Sequence, residues 1–245
     1  MIWSRLLQSI RQLKQADYDI ELARGEVACL IVVVFDDAQS VFPPIDCWSG
    51  TMRGVYYDQL PHWVVDRGYY SLMFRCRGSL PDAVLLRLSE INQNQQGIVT
   101  RDQQALEQQR RSFKILEAYL DRSQGFAPFH DDAVRGAFHD YLQEYDVGGL
   151  RFQHWVIMPN HLHLLTAPLN CERIECFKSA MTQFKLRSTQ MLNRTLGRRG
   201  GFWQSHQYDR WVRNEREYHR WQKYFKDNPV KAGLCQQPEC WVGLQ

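Results

Sequence analysis

IMPNHLHLLTAP (157–168) sets two histidines one residue apart inside an apolar run. Before its Pro159-Asn160 pair runs LRFQHWVIM (150–158), and after it HLHLLTAP (161–168). Two β-rich runs on either side of turn residues predict an antiparallel hairpin. Side chains alternate faces along a strand, so His161, His163 and Leu165 point one way and Leu162, Leu164 and Thr166 the other. Imidazoles two strand steps apart, about 7 Å, can converge on one divalent ion. The same spacing also suits two hydrogen-bonded, partly exposed histidines that bind nothing.

Working outward, GYYSLMFRCRG (68–78) alternates and is rich in aromatics, which predicts a strand closed by Gly78. Helices are expected from SLPDAVLLRLSEINQ (79–93), across 101–123, and over 131–144, where Val134, Phe138 and Leu142 share a side. After the hairpin, 171–192 reads as a helix, LGRRGG (196–201) as a basic loop, and QYDRWVR (207–213) as a short strand. Asn214 with Glu217 resembles a capping box opening a last helix, which Asn228-Pro229 is expected to end. Residues 1–36 suggest a helix and a short buried strand, and residues 37–67, with Pro43, Pro44 and Gly50, an irregular connection. The order predicts an α+β fold, a ferredoxin-like antiparallel sheet with packed helices.

With 44% hydrophobic residues in 245, a sizeable core can form, which argues against wholesale disorder. The longest apolar run, VACLIVVVF (27–35), is about half the ~20 residues of a membrane span. MIWSRLLQSIRQLKQ reads as an amphipathic helix with no cleavage site after it, so a soluble, cytoplasmic protein without membrane partners is expected. The cysteine pairs 171/176 and 235/240 could form a zinc site, but their spacing is wider than usual and free thiols fit better. Charge is uneven. Residues 151–245 hold 15 Lys and Arg against 7 Asp and Glu, whereas residues 1–150 hold 15 against 20. A basic C-terminal part with interleaved aromatics suits nucleic acid, or an ordinary solvated face.

In KYFKDNPVKAGL (223–234), Tyr224 and Asn228 are four apart and share a helix side. Asn228 offers an amide oxygen as a third metal ligand, and Tyr224 a phenol one turn away. Tyr218, Trp221 and Phe225 form the more strictly apolar stripe, and Tyr224 could instead be its edge. Together the pieces suggest that a metal held by two histidines polarises a phosphodiester while a tyrosine attacks phosphorus. With no acidic cluster at hand, one metal is expected.

QLPHW, GYYSLMFRCRGSLP, WVIMPNHLHLL, FWQSHQYDRWVRNE and YFKDNPVKAGL occur in that order over about residues 55–245. In this the chain resembles the HUH single-tyrosine transposases, in particular the REP-associated tyrosine transposases. The resemblance implies an HUH endonuclease type of fold over 55–245, with residues 1–54 as an N-terminal extension of unknown role. It implies His161, His163 and Asn228 as ligands of Mg²⁺ or Mn²⁺, and Tyr224 as the nucleophile, with Tyr208 the alternative. It further implies an enzyme that nicks and rejoins single-stranded DNA at palindromic hairpins through a 5′-phosphotyrosine, the monomer favoured over the dimer.

Chemistry alone adds Arg198, Arg199, Arg210, Arg213 and Lys231 as candidate phosphate contacts, and Trp203 with Phe202 as candidate stacking platforms. The main competing reading is a hairpin-DNA-binding protein without cleavage activity. A metallo-β-lactamase pattern fails, because Leu164, Leu165 and Thr166 follow His163. A rolling-circle initiator usually has a lysine three residues after its tyrosine, where Asp227 stands here.

Overall fold

A computed structural model describes residues 50–58, 61–86, 111, 113–122, 125–241, 243 and 244. The helix and strand expected within residues 1–36, and most of the helices expected across 79–93 and 101–123, lie outside these. Within the described parts of the latter two, 82–86, 111 and 113–120 are helical.

The fold is α+β, as expected. Strands β1 (Thr51–Tyr57) and β2 (Pro61–Asp66) form an antiparallel two-stranded ribbon. β3 (Tyr69–Arg75) leads to helix α1 (Asp132–Gln143), β4 (Phe152–Met158), β5 (His161–Thr166), α2 (Ile174–Thr195), β6 (Tyr208–Val212) and α3 (Glu215–Lys231). The four-stranded sheet runs β4-β5-β3-β6, antiparallel throughout. From β3 onward this is a βαββαβ unit with the ferredoxin-like strand order.

Alternation along each strand divides the core. Tyr70, Leu72, Phe74, Trp155, Ile157, Leu162 and Leu164 face α1 and α2, meeting Val134, Phe138, Phe177 and Phe184. The opposite face carries Val156, Met158 and Leu165, packed beneath Tyr218 and Phe225 of α3. Beside them Met73 and Tyr208 pack with Leu120 of the 113–120 helix. The crossover helices thus cover one face, and α3 with the 113–120 helix covers the other.

Three sequence expectations are corrected. Residues 51–57 and 61–66 are not irregular connection but the ribbon; its tilted alternation is hidden in the sequence by Gly54, which sits at a register shift opposite Val64. α3 does not stop at Asn228-Pro229: it contains Pro229 and continues to Lys231. It ends where Gly233, at φ 70°, donates to the Val230 carbonyl and Leu234 to the Pro229 carbonyl, a Schellman closure. The capping box is half formed. Asn214 accepts from the Glu217 N–H, but the Glu217 carboxylate turns to the Arg213 N–H and the Arg210 guanidinium.

After α3 the chain returns to the free side of β4. Trp241 donates its indole N–H to the Ile157 carbonyl at 2.9 Å, and the Ile157 N–H donates to the Gly243 carbonyl. The Arg135 guanidinium lies 3.9 Å from the Trp241 ring.

Candidate metal and tyrosine site

The hairpin places the histidines. The two-residue turn between β4 and β5 is held from outside, because the Pro159 carbonyl accepts from Phe129 and the Asn160 carbonyl from Cys76. His161 and His163 then enter the central strand on the α3 face, fully buried. Their ring centroids are 5.0 Å apart. The partly exposed, hydrogen-bonded histidine pair left open by the sequence is not what forms.

Burial disfavours the imidazolium. It pushes His161 far below the ordinary histidine range, with His163 adding to the effect, and takes His163 down to about 3. Both rings are therefore neutral at pH 7. His161 Nδ1–H donates to Asn160 Oδ1 at 2.8 Å, which leaves Nε2 with its lone pair. The Nε2 atoms of both histidines are buried without a hydrogen-bond partner. Such atoms normally cost free energy and are rare in native structures.

α3 supplies the remaining groups. The Tyr224 ring lies 5.4 Å from that of His163, nearly perpendicular to it, and Phe225 is 5.6 Å away. Tyr224 is half-buried, and Asn228, one turn on, is buried, its amide Nδ2 also without a partner. A half-turn of that amide presents its oxygen in the same place.

A divalent ion fits this donor set: two neutral imidazoles with unused nitrogens, one oriented by an amide, and a buried amide that can offer oxygen. No group of three or more His, Cys, Asp or Glu side chains able to hold a metal gathers among the described residues, so the cysteine alternative does not assemble there. The five described cysteines are free thiols.

Tyr208 sits on β6 opposite Met73, which is itself opposite His163, so a whole strand separates it from the histidines. It is buried, its ring 4.4 Å from Phe113, and burial pushes its phenol up to about 12. That environment suits packing.

The expected nucleic-acid contacts separate into two groups. Trp203 is not a free stacking surface: it is buried in the main core and donates to Ser188 Oγ at 2.8 Å, and Phe202 is buried beside it. Arg210 is bound to Glu217 at 2.6 Å, with Arg213 on the other carboxylate oxygen at 3.6 Å. These two arginines lock β6 to α3. Arg198 lies over the Phe126 ring at 4.5 Å. Arg199 and Lys231 remain exposed, Lys231 5.6 Å from the Tyr224 ring and 3.7 Å from Asp227.

Sequence reasoning missed Asn160, although its position directly before His161 in PNH was the available signal.

No family model matches the chain, and no curated protein matches it. Among solved structures it is similar to a REP-associated tyrosine transposase bound to a REP hairpin, at 14% identity and a TM-score of 0.39, over 76% of this chain and 79% of that one. Likeness at this level leaves activity to be argued from the site itself. Fold and site define an α+β protein with paired buried histidines on the central strand of its sheet and a tyrosine helix across the same face. No helix among the described residues is long and apolar enough to cross a membrane.

Proposed function

We propose that the protein is a metal-dependent, transposase-like transesterase that nicks and rejoins single-stranded DNA at palindromic hairpins. One observation carries the reading. His161 Nε2, His163 Nε2 and Asn228 Nδ2 are buried and unpartnered on the face that α3 covers with Tyr224. Other buried unpartnered atoms are scattered through the described residues, but here three residues bring them to one sheet face, where two imidazole nitrogens and an amide can serve as part of the shell of a divalent ion such as Mg²⁺ or Mn²⁺, water completing it.

His161, His163 and Asn228 would hold such an ion, which would supply Lewis-acid neutralisation of phosphate charge. Tyr224 Oη forms the new bond to phosphorus and loses its proton, while the P–O3′ bond breaks and the departing 3′ oxygen takes up a proton. The products are a 5′-phosphotyrosine and a free 3′-OH, and rejoining is the same exchange in reverse. Neutral His161 and His163 keep their lone pairs available, and Asn160 fixes the His161 ring. Exposed Arg199 and Lys231 contribute to holding the strand.

The test is a denaturing gel of a single-stranded hairpin oligonucleotide, taken from the genomic neighbourhood, incubated with Mn²⁺ or with Mg²⁺. Wild type and Tyr208→Phe give a covalent protein–DNA band, and Tyr224→Phe gives none. Hairpin binding by wild type with no band in either metal would make the protein a binder and not an enzyme.

A further inference from the structure

We propose that Arg75 is a phosphate-contacting residue of this site, seating an oxygen of the scissile phosphodiester beside His161. The proposal rests on the reading of the site as a phosphodiester centre and adds to it a residue outside the metal and tyrosine set.

The sheet register places Arg75. β3 and β5 pair Arg75 with His161 and Met73 with His163. Residues directly opposed across an antiparallel pair project from the same face, with Cβ atoms about 5 Å apart. Tyr69 confirms the parity, since it lies on the same alternate set of β3 and packs edge-on against Tyr218 of α3. Arg75 therefore rises from the sheet as the immediate neighbour of His161, at the C-terminal end of β3.

The other described arginines that are not exposed each have a partner, Arg198 lying over the Phe126 ring and the rest beside carboxylates. Arg53 pairs with Asp66, Arg135 with Asp132, and Arg210 and Arg213 with Glu217. Arg75 is half-buried and makes no side-chain hydrogen bond or ion pair among the described residues. A partly desolvated cation with no counter-ion among the described residues gains most from an anion that arrives with the substrate. The guanidinium fork matches two phosphate oxygens, and charge on those oxygens grows as the tyrosine oxygen adds to phosphorus.

The test replaces, one at a time, each phosphodiester in the single-stranded foot of the hairpin by an uncharged methylphosphonate. Binding is measured in EDTA, and cleavage of the unmodified oligonucleotide in Mn²⁺. At one linkage the wild type loses about tenfold or more in affinity for the neutral analogue. At that linkage Arg75→Gln discriminates less than about twofold, and Arg75→Lys lies between. Single-turnover cleavage by Arg75→Gln falls about 10²-fold, the scale of losing one oxyanion-stabilising group. Equal discrimination by wild type and both Arg75 variants overturns the proposal, whatever the cleavage result. If the wild type discriminates through Arg75 but never cleaves, the contact stands and the transesterase reading falls.

Discussion

His62 and Asp209 form a buried pair joining the ribbon to the sheet, His62 Nδ1 donating to Asp209 Oδ1. The Tyr56 ring stacks on His62 at 4.6 Å, and the Lys178 ammonium sits 4.4 Å from the Tyr56 ring. Nearby, Lys185 holds the Ser205 carbonyl and Gln207 Oε1, burial pulling its ammonium down to about 8 while Asp209 and Asp58 oppose the shift. Removing one partner of a buried pair strands the other, so His62→Ala should cost about 3 kcal/mol in urea unfolding. A loss below about 1 kcal/mol would show that water replaces the ring. At this scale the sequence reveals position better than company. His161 with His163, and Tyr224 with Asn228, were legible because strand and helix periods fix which side chains share a face. The roles of Arg210, Arg213 and Trp203 were not, because a charge or a ring in a sequence carries no mark of the Glu217 or Ser188 that occupies it.

α3 carries the candidate nucleophile, and its two ends are secured differently. At the start, burial pushes the Glu217 carboxyl upward, but Arg210 and then Arg213 outweigh it and hold the group below the usual glutamate range. A depressed carboxyl stabilises the fold above its unfolded pKa, about 4.3, and that stability disappears as pH falls through the lower folded value. Wild type should therefore exceed Glu217→Gln in stability at pH 7, with the gap closing in acid below about pH 4; equal gaps at pH 7 and pH 3 would contradict this. At the other end, a Cβ on Gly233 meets nothing within 4 Å, so only its φ of 70° resists substitution. Gly233→Ala should cost about 1 kcal/mol by urea midpoint without affecting core packing. The helix could be located from its cap and stripe. Its true end could not, because the local rule that a helix stops before a proline was overridden by a closure formed by residues 229–234.

The sheet explains what the whole sequence disclosed. Its βαββαβ order was readable since each element carries its own period, and consecutive elements pack as neighbours. The ribbon escaped because its shift at Gly54 breaks alternation and its fixing contact, His62 to Asp209, spans most of the domain in sequence. β5 lies inside the sheet with every residue buried, whereas Trp241, Gly243 and Leu244 flank β4 on its outer side. Trp241→Ala should hasten hydrogen exchange at the Ile157 amide and leave Leu162 and Leu164 slow; unchanged exchange at Ile157 would mean the last residues hold without the indole. The same contacts have a consequence for self-association. An open outer strand is a template onto which another chain can add its own. Along β4, Gly243 and Trp241 already occupy backbone groups of Ile157, so a second molecule cannot pair with the strand at that residue without first displacing these two.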